Sequence, residues 1–321
     1  MSNIEVVGLG ALNIDHLYRV ERILEDGEAV VNEAVSTPGG SAANTIYGLA
    51  RLGLSAGFTG VIGDDAEGKI MLDDFEKAGA DTGHITLKPG TKTGSVVCLS
   101  DSSGRRSLYV LSGANNLLTM DDIEPDYINQ ARILHISSFA DDRQFKISVE
   151  LMEELDSSTM LSFAPGALYA ARGLKALAQI LGRTHVLFIN QDEMKRLTGQ
   201  EVIDGAKSCL DNGCNVVVVT LGEGAKIRDT IATSYIRDTS NEYMVEAGSR
   251  SEISLSDTTG AGDAFAAGFL YGILRGAGLK ECGLIGDIVA RFSTTKGGAR
   301  AGLPTPGELS RRYHELHGKE L

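Results

Sequence analysis

The chain predicts an α/β fold, in which a mostly parallel sheet is covered by helices on both faces and carries a small second sheet. Three observations predict it. Apolar runs at residues 133–136, 160–163, 186–189 and 216–220 alternate with helical patterns near 144–155, 173–181 and 201–210. Such alternation specifies buried parallel strands. Two polar hairpin patterns interrupt the first third of the chain, and a glycine loop near its end feeds an apolar helix.

In order, residues 4–12 read as a buried first strand with Gly8 and Gly10 near its end. A G-x-G there is a dinucleotide-binding cue, but Asn13 fills the third glycine slot and no helical pattern follows, which disfavours a nicotinamide enzyme. Tyr18 and Val20, then Ala29, Val31 and Ala34 beyond Asp26-Gly27, alternate as a hairpin. Residues 37–44 open a helix to about Leu52, where Gly39 and Gly40 let the backbone approach a ligand and Asn44 offers both donor and acceptor. A strand near 56–62, a turn at 63–65 and an amphipathic helix to Lys77 follow. A second hairpin pairs 93–99 with 107–111. After the regular alternation come strands near 226–228, 231–236 and 242–246 and closing helices over 279–295 and 305–317. Without repeats or linkers this is one domain over 1–321, and the hairpins, about 16–37 and 92–112, pair as a lid. A cover of that kind keeps water from competing in a transfer reaction.

Composition excludes several classes. The chain of 321 residues is 42% hydrophobic and 23% charged, with a net charge of −13, which argues against a nucleic-acid surface. No apolar run reaches transmembrane length and no signal-peptide pattern opens the chain, so a cytoplasmic protein without membrane contact is expected. Cys98, Cys209, Cys214 and Cys282 lack metal or redox spacing and read as small core residues. His314 and His317 sit in a charged segment and read as a solvated helix face.

The chemistry concentrates at D-T-T-G-A-G-D, residues 257–263. Asp257, Thr258 and Thr259 are turn and cap formers, and Gly260 and Gly262 leave the backbone open. Ala261, Ala264, Phe265, Gly268, Phe269, Gly272 and Ile273 then recur at helical spacing. A helix start of this kind gathers oriented N–H groups and a positive dipole end, which attract phosphate. Asp263, in the first turn, would face that anion. A carboxylate there suits proton abstraction from an attacking hydroxyl; the plainer alternative is a capped core helix stabilised by Asp263.

The run D-T-T-G-A-G-D-A-F resembles the signature of the ribokinase-like PfkB family of sugar and nucleoside kinases, and the likeness extends along nearly the whole chain. It implies a three-layer α/β/α core with a small β-sheet lid. It makes Asp263 the catalytic base and the amides of Gly260, Ala261 and Gly262 an anion hole. Gly10-Ala-Leu-Asn-Ile-Asp15 resembles the motif whose Asn13 and Asp15 hold sugar hydroxyls. Gly39-Gly40-Ser-Ala-Ala-Asn44 resembles the signature contacting the same sugar, with Ser41 and Ala42 where ribokinases carry lysine and glycine. Residues 113–118 resemble the segment following the lid. Asn190-Gln-Asp-Glu193 resembles N-x-x-E, placing Asn190 near the nucleotide phosphates and Glu193 on magnesium through water. Thr220, Gly222 and Gly224 resemble the nucleotide-covering element, one residue tighter than the family pattern. Residues 296–299, with carbonyls near Asp257 and Thr259, resemble a monovalent-cation site suited to potassium.

The resemblance thus implies a Mg-dependent kinase moving the terminal phosphate of ATP to a hydroxyl of a small sugar, with GTP or ADP as alternative donors. Ser137 and Ser138 stand where ribokinases place a glutamate, which puts ribose itself in question. A nucleoside kinase would use Tyr18, Tyr109 or Phe139 against a base, and a kinase of a phosphorylated sugar would use Arg105-Arg106. A sugar-binding regulatory protein on a kinase scaffold is the non-enzyme reading, although Asp263 and Glu193 are both retained. The short lid implies a homodimer.

Overall fold

A computed structural model describes residues 4–103, 105–246 and 257–321. The first third contains β1 (Val6–Leu9), β2 (Asn13–Val20), β3 (Val31–Gly39), α1 (Ser41–Arg51), β4 (Ala56–Gly63), α2 (Ala66–Ala78), β5 (Asp81–Lys88), β6 (Gly94–Asp101) and β7 (Arg106–Leu111). There follow α3 (Pro125–Asn129), β8 (Ile133–Ser137), α4 (Asp142–Glu154), β9 (Met160–Ala164), α5 (Gly166–Ala170), α6 (Gly173–Arg183), β10 (Thr184–Asn190), α7 (Gln191–Thr198) and α8 (Val202–Asp211). The chain continues with β11 (Val216–Ile227), β12 (Thr230–Asp238), β13 (Glu242–Glu246), α9 (Ala261–Leu274), α10 (Leu279–Ser293) and α11 (Pro306–His317).

The main sheet has nine strands in the order β13-β12-β11-β10-β9-β8-β1-β4-β5. It is parallel from β11 to β5, and β12 and β13 add an antiparallel edge. One apolar layer packs α4, α6, α7 and α8 on one face, and a second packs α1, α2, α9 and α10 on the other. Gly8 belongs to this packing: a side chain there would collide with Ile46 of α1 and Phe58 of β4. The first G-x-G therefore seats a helix on the sheet.

From β1 the chain order runs outward through β4 in one direction and through β8 in the other. Such a reversal opens a crevice at the carboxyl ends of the strands, which is where open α/β sheets bind ligands.

The second sheet has the order β3-β2-β6-β7, and parallel pairing of β2 with β6 joins the two hairpins. Its strands begin at Asn13 and run to Gly39, beyond the expected 16–37, so the sugar-motif residues Asn13 and Asp15 lie inside this sheet. Leu108, Tyr109, Val110 and Leu111 of β7 are all exposed.

Short and edge elements escape a periodicity reading. Strand β5 pairs only with β4 and is half exposed, so its sequence carries little apolar alternation. Helix α7 has eight residues and buries only Met194 and Leu197, and α5 has five residues, too few for a periodic signal. The four cysteines are free and buried. Among the described residues no helix is long and apolar enough to cross a membrane.

Candidate active site

Helix α9 begins at the carboxyl end of the sheet. Gly260 caps it with φ 74°, a left-handed conformation open to glycine, and a Cβ there would also strike the Ala299 methyl. The Ala264 amide donates to the Gly260 carbonyl at 2.9 Å, which starts the helix. Of the three amides expected to form an anion hole, that of Ala261 already donates to the Thr258 carbonyl at 3.3 Å. The amides of Gly262 and Asp263 donate to no acceptor among the described residues. Gly262 borders open space: no protein atom lies within 4 Å of where its Cβ would be. Two oriented donors of this helix end, at an exposed glycine, are therefore left for an anion.

Asp263 stands in the first turn and is half-buried. Ser41 Oγ donates to its Oδ1 at 2.7 Å, and Asn44 Nδ2 donates to its Oδ2 at 2.9 Å. Burial pushes its carboxyl up to about 6, helped by the nearby Glu193 charge and opposed by the Asn44 and Ser41 hydrogen bonds and by Arg300.

Asp15, on β2, is also pushed up to about 6 by burial, with Arg300 lowering it and Asp263 raising it. The Asp263 charge thus raises Asp15, and Arg300 lowers both carboxyls. Among the described residues no group donates a hydrogen bond to the Asp15 carboxylate. Gly39 is its close neighbour, because any side chain at Gly39 would overlap the Asp15 carboxylate. Gly40 has φ 95° as the N-cap of α1, and a Cβ there would meet the Ala11 carbonyl.

The remaining sugar-motif residues are more deeply built in. Asn13 is buried, and its Oδ1 accepts from Asn115 Nδ2 at 2.9 Å. Asn115 also bonds the backbone of Leu12 in both directions, which explains the Gly113-Ala-Asn115 pattern as a clasp on the end of the first crossover. Asn44 is only 5% exposed; beyond its bond to Asp263, its Oδ1 accepts from Arg300 Nε at 2.9 Å. Ser137 is buried with its hydroxyl accepting from the Ala42 amide at 3.0 Å, so it presents no ligand contact in place of the family's glutamate.

On the other flank, Asn190 at the end of β10 is the register partner of Thr220 of β11, the last pair of that parallel ladder. Asn190 and Glu193 form a capping box at α7: the Glu193 amide donates to Asn190 Oδ1 at 2.8 Å, and the Asn190 amide donates to Glu193 Oε2 at 3.1 Å. Burial raises the Glu193 carboxyl despite those bonds. Beyond Thr220 the pairing with β12 shifts, so residues 221–224, including Gly222 and Gly224, loop out. Among the described residues no group of three or more acids, histidines or cysteines forms a metal cage. A single carboxylate such as Glu193 is a donor that would suit magnesium completed by waters and phosphate oxygens.

Asp257 ties the glycine loop to the segment after α10. Thr259 donates to its Oδ1 through the amide and the hydroxyl at 2.9 and 2.7 Å, and the Gly298 amide donates to Oδ2 at 3.0 Å. A cation there would meet backbone carbonyls, since the Asp257 side chain is engaged. Arg106 reaches the same loop from the small sheet, donating to Thr258 Oγ1 at 2.9 Å, whereas Arg105 is held by Asp101 in its own hairpin turn. Of the aromatic residues that could flank a base, Phe139 packs against the core and also borders a small cavity with Ala11, Asn13, Val110 and Asp141, while Tyr109 is exposed on β7. Arg300 was invisible to motif reading: it is one basic residue in a glycine-rich segment, yet it lies 4% exposed beneath both aspartates.

The pfkB carbohydrate-kinase family profile matches residues 3–306. An uncharacterized sugar kinase of Archaeoglobus fulgidus is 36% identical over 261 residues, covering 80% of this chain and 98% of that protein. An ATP-dependent ribose-1-phosphate kinase of Halopiger xanaduensis is 31% identical over 269 residues, covering 83% of this chain and 84% of that protein. The fold matches ribokinase from Thermotoga maritima with a TM-score of 0.82 at 23% identity, over 96% of this chain and 98% of that one. With a profile spanning almost its full length, the chain belongs to the pfkB family of carbohydrate kinases and is a phosphotransferase with an alcohol group as acceptor.

Proposed function

We propose that this enzyme moves the terminal phosphate of ATP to a hydroxyl of a small sugar, with Asp263 as the base. The observation that carries the reading is the Asp263 carboxylate, pushed up to about 6 by burial, beside amides that face open space. The acceptor hydroxyl lies between Asp15 and Asp263. Asp15, with no donor of its own among the described residues, accepts from sugar hydroxyls. As the acceptor oxygen bonds to the γ-phosphorus, its proton passes to Asp263, and the bond from phosphorus to the leaving ADP oxygen breaks. The free amides at the start of α9 stabilise the charge on the transferring oxygens.

Asn190 and Thr220, with the loop carrying Gly222 and Gly224, hold the nucleotide. Glu193 would hold magnesium, which when bound would supply neutralisation of the phosphate charge. Carbonyls around Asp257 and Thr259 suit potassium. The small sheet acts as the lid, and its exposed β7 side chains support a homodimer closed over it. A cytoplasmic location accords with this reading.

One observation favours a second acceptor. Arg106, bonded to Thr258, brings a cation to the rim of the phosphate loop, where it would neutralise a phosphorylated sugar. A panel of pentoses, hexoses, nucleosides and ribose phosphates, run with ATP, GTP and ADP, tests both. Turnover with a neutral sugar and ATP is expected. Turnover confined to sugar phosphates supports the second reading, and no turnover with any pair overturns both.

A further inference from the structure

Arg300 follows α10 and is buried among three elements. Its Nη1 donates to Asp74 of α2 at 2.7 Å, and its guanidinium lies 5.1 and 5.2 Å from the ring centres of Tyr47 and Phe75. Two further bonds point toward the candidate site. Nε donates to Asn44 Oδ1 at 2.9 Å, and the same Asn44 side chain donates to Asp263 Oδ2 at 2.9 Å. Nη2 donates to the carbonyl of Gly39 at 3.3 Å, and Gly39 is the residue lying against the Asp15 carboxylate.

We propose that Arg300 is a positioning residue for both aspartates: through Asn44 it fixes the Asp263 carboxylate, and through the Gly39 carbonyl it fixes the floor under Asp15. A buried cation is costly unless several groups satisfy it. Asp74 alone could neutralise it, yet Arg300 spends Nε and Nη2 on the two segments that seat the acceptor and the base. The rigid planar fork of arginine makes both bonds at once, which a lysine cannot. The second consequence is electrostatic. The groups facing Asp263 are Ser41, Asn44 and Thr45 of α1, Glu193 of α7, Asp15 of β2 and Arg300. Arg300 is the cation in that set, and it opposes the rise that burial and the Glu193 charge impose on Asp263 and that burial and Asp263 impose on Asp15.

The inference rests on Asp263 acting as base, but its test does not need turnover. Carboxyl carbons are followed by NMR in protein labelled at aspartate, with Asp263 and Asp15 resonances assigned from their asparagine variants. In Arg300→Met both titrations are expected to move up by about one pH unit. In active enzyme the acid limb of kcat moves with Asp263, and kcat itself drops about tenfold because the base is no longer held. Asp74→Asn removes the partner on the far side; it should lower the unfolding temperature and move neither titration upward. A folded Arg300→Met whose two titrations stay at wild-type values overturns the proposal. If that variant does not fold, Arg300→Lys decides. Titrations near wild type with a lowered kcat support positioning by the fork, and an unchanged kcat overturns it. Shifted titrations in a protein that phosphorylates nothing would leave the proposal standing and sink the kinase assignment instead.

Discussion

The main sheet carries an acidic cleft at the amino ends of its strands and the candidate active site at their carboxyl ends. At the amino ends of the strands a cleft of about 380 Å³ is lined by Ile4, Ser55, Asp81, His84, Glu124, Asp126, Tyr127 and Gln130. Its polar groups serve one another: Tyr127 donates to Asp81 at 3.0 Å, His84 stacks on Tyr127 with ring centres 3.5 Å apart, and Glu124 lies 3.1 Å from His84. Asp81, Glu124 and Asp126 face water. At the carboxyl ends, by contrast, two carboxylates are pushed up to about 6, and helix amides point into open space. Charges held in discomfort next to unused donors, rather than volume, distinguish a reaction site.

Removing the base is the severest way to test that difference. Asp263→Asn preserves shape and can keep a bond from Ser41, yet it cannot take a proton. A fall in kcat of at least ~10²-fold is expected in a coupled ADP-release assay. Near-normal turnover would move the base elsewhere.

Glu193→Gln should follow, at about tenfold in kcat/KM for the nucleotide, with half-saturation shifted to higher magnesium. The substitution isolates charge, because glutamine completes a capping box as glutamate does. Unfolding stability should therefore stay within ~0.5 kcal/mol of wild type. An equal loss at all magnesium concentrations would detach Glu193 from the metal.

How much of this was legible beforehand depends on whether a role is local. The D-T-T-G-A-G-D run announces its own helix start, because capping and glycine chemistry are written in adjacent residues. The parallel core was readable from its apolar runs, and β5 was not, because an edge strand with one partner needs little apolar alternation. Asn190 and Glu193 were noticed as a motif, but that they cap a helix depended on seeing that α7 begins at Gln191. Asn44 was expected to touch a ligand, and it also serves as a buried strut between Arg300 and Asp263. Arg300 is 256 residues from Asn44 in sequence, and nothing local marks such a pairing.

The pH dependence of turnover gives a gentler test. If Asp263 is the base proposed above, it must be ionised to act, and activity should fall as pH drops through about 6. The same shift acts on stability with the opposite sense. Between the ordinary 3.8 and about 6 the folded state keeps a proton that the unfolded chain has released, so stability declines as pH rises through that window. Asp263→Asn is spared this decline. It should unfold at a higher temperature than wild type at pH about 7.5, with the gap closing toward pH about 4. A variant less stable than wild type at both values would mean that the Asn44 and Ser41 bonds outweigh burial.

The smallest effect belongs to the opposite end. In Tyr127→Phe the ring keeps its stack on His84 and its place on α3, and only the hydrogen bond to Asp81 is lost. Burial and Asp81 both push the Tyr127 phenol far up, so it stays neutral throughout the working range and no ionisation is removed with it. The loss is one hydrogen bond to a charged acceptor that can turn to water, about 1 kcal/mol in urea unfolding. Turnover should remain within about twofold of wild type. A tenfold fall would mean that the two ends of the sheet are coupled through β4 and β5, and the amino-end cleft would then have a part in the reaction.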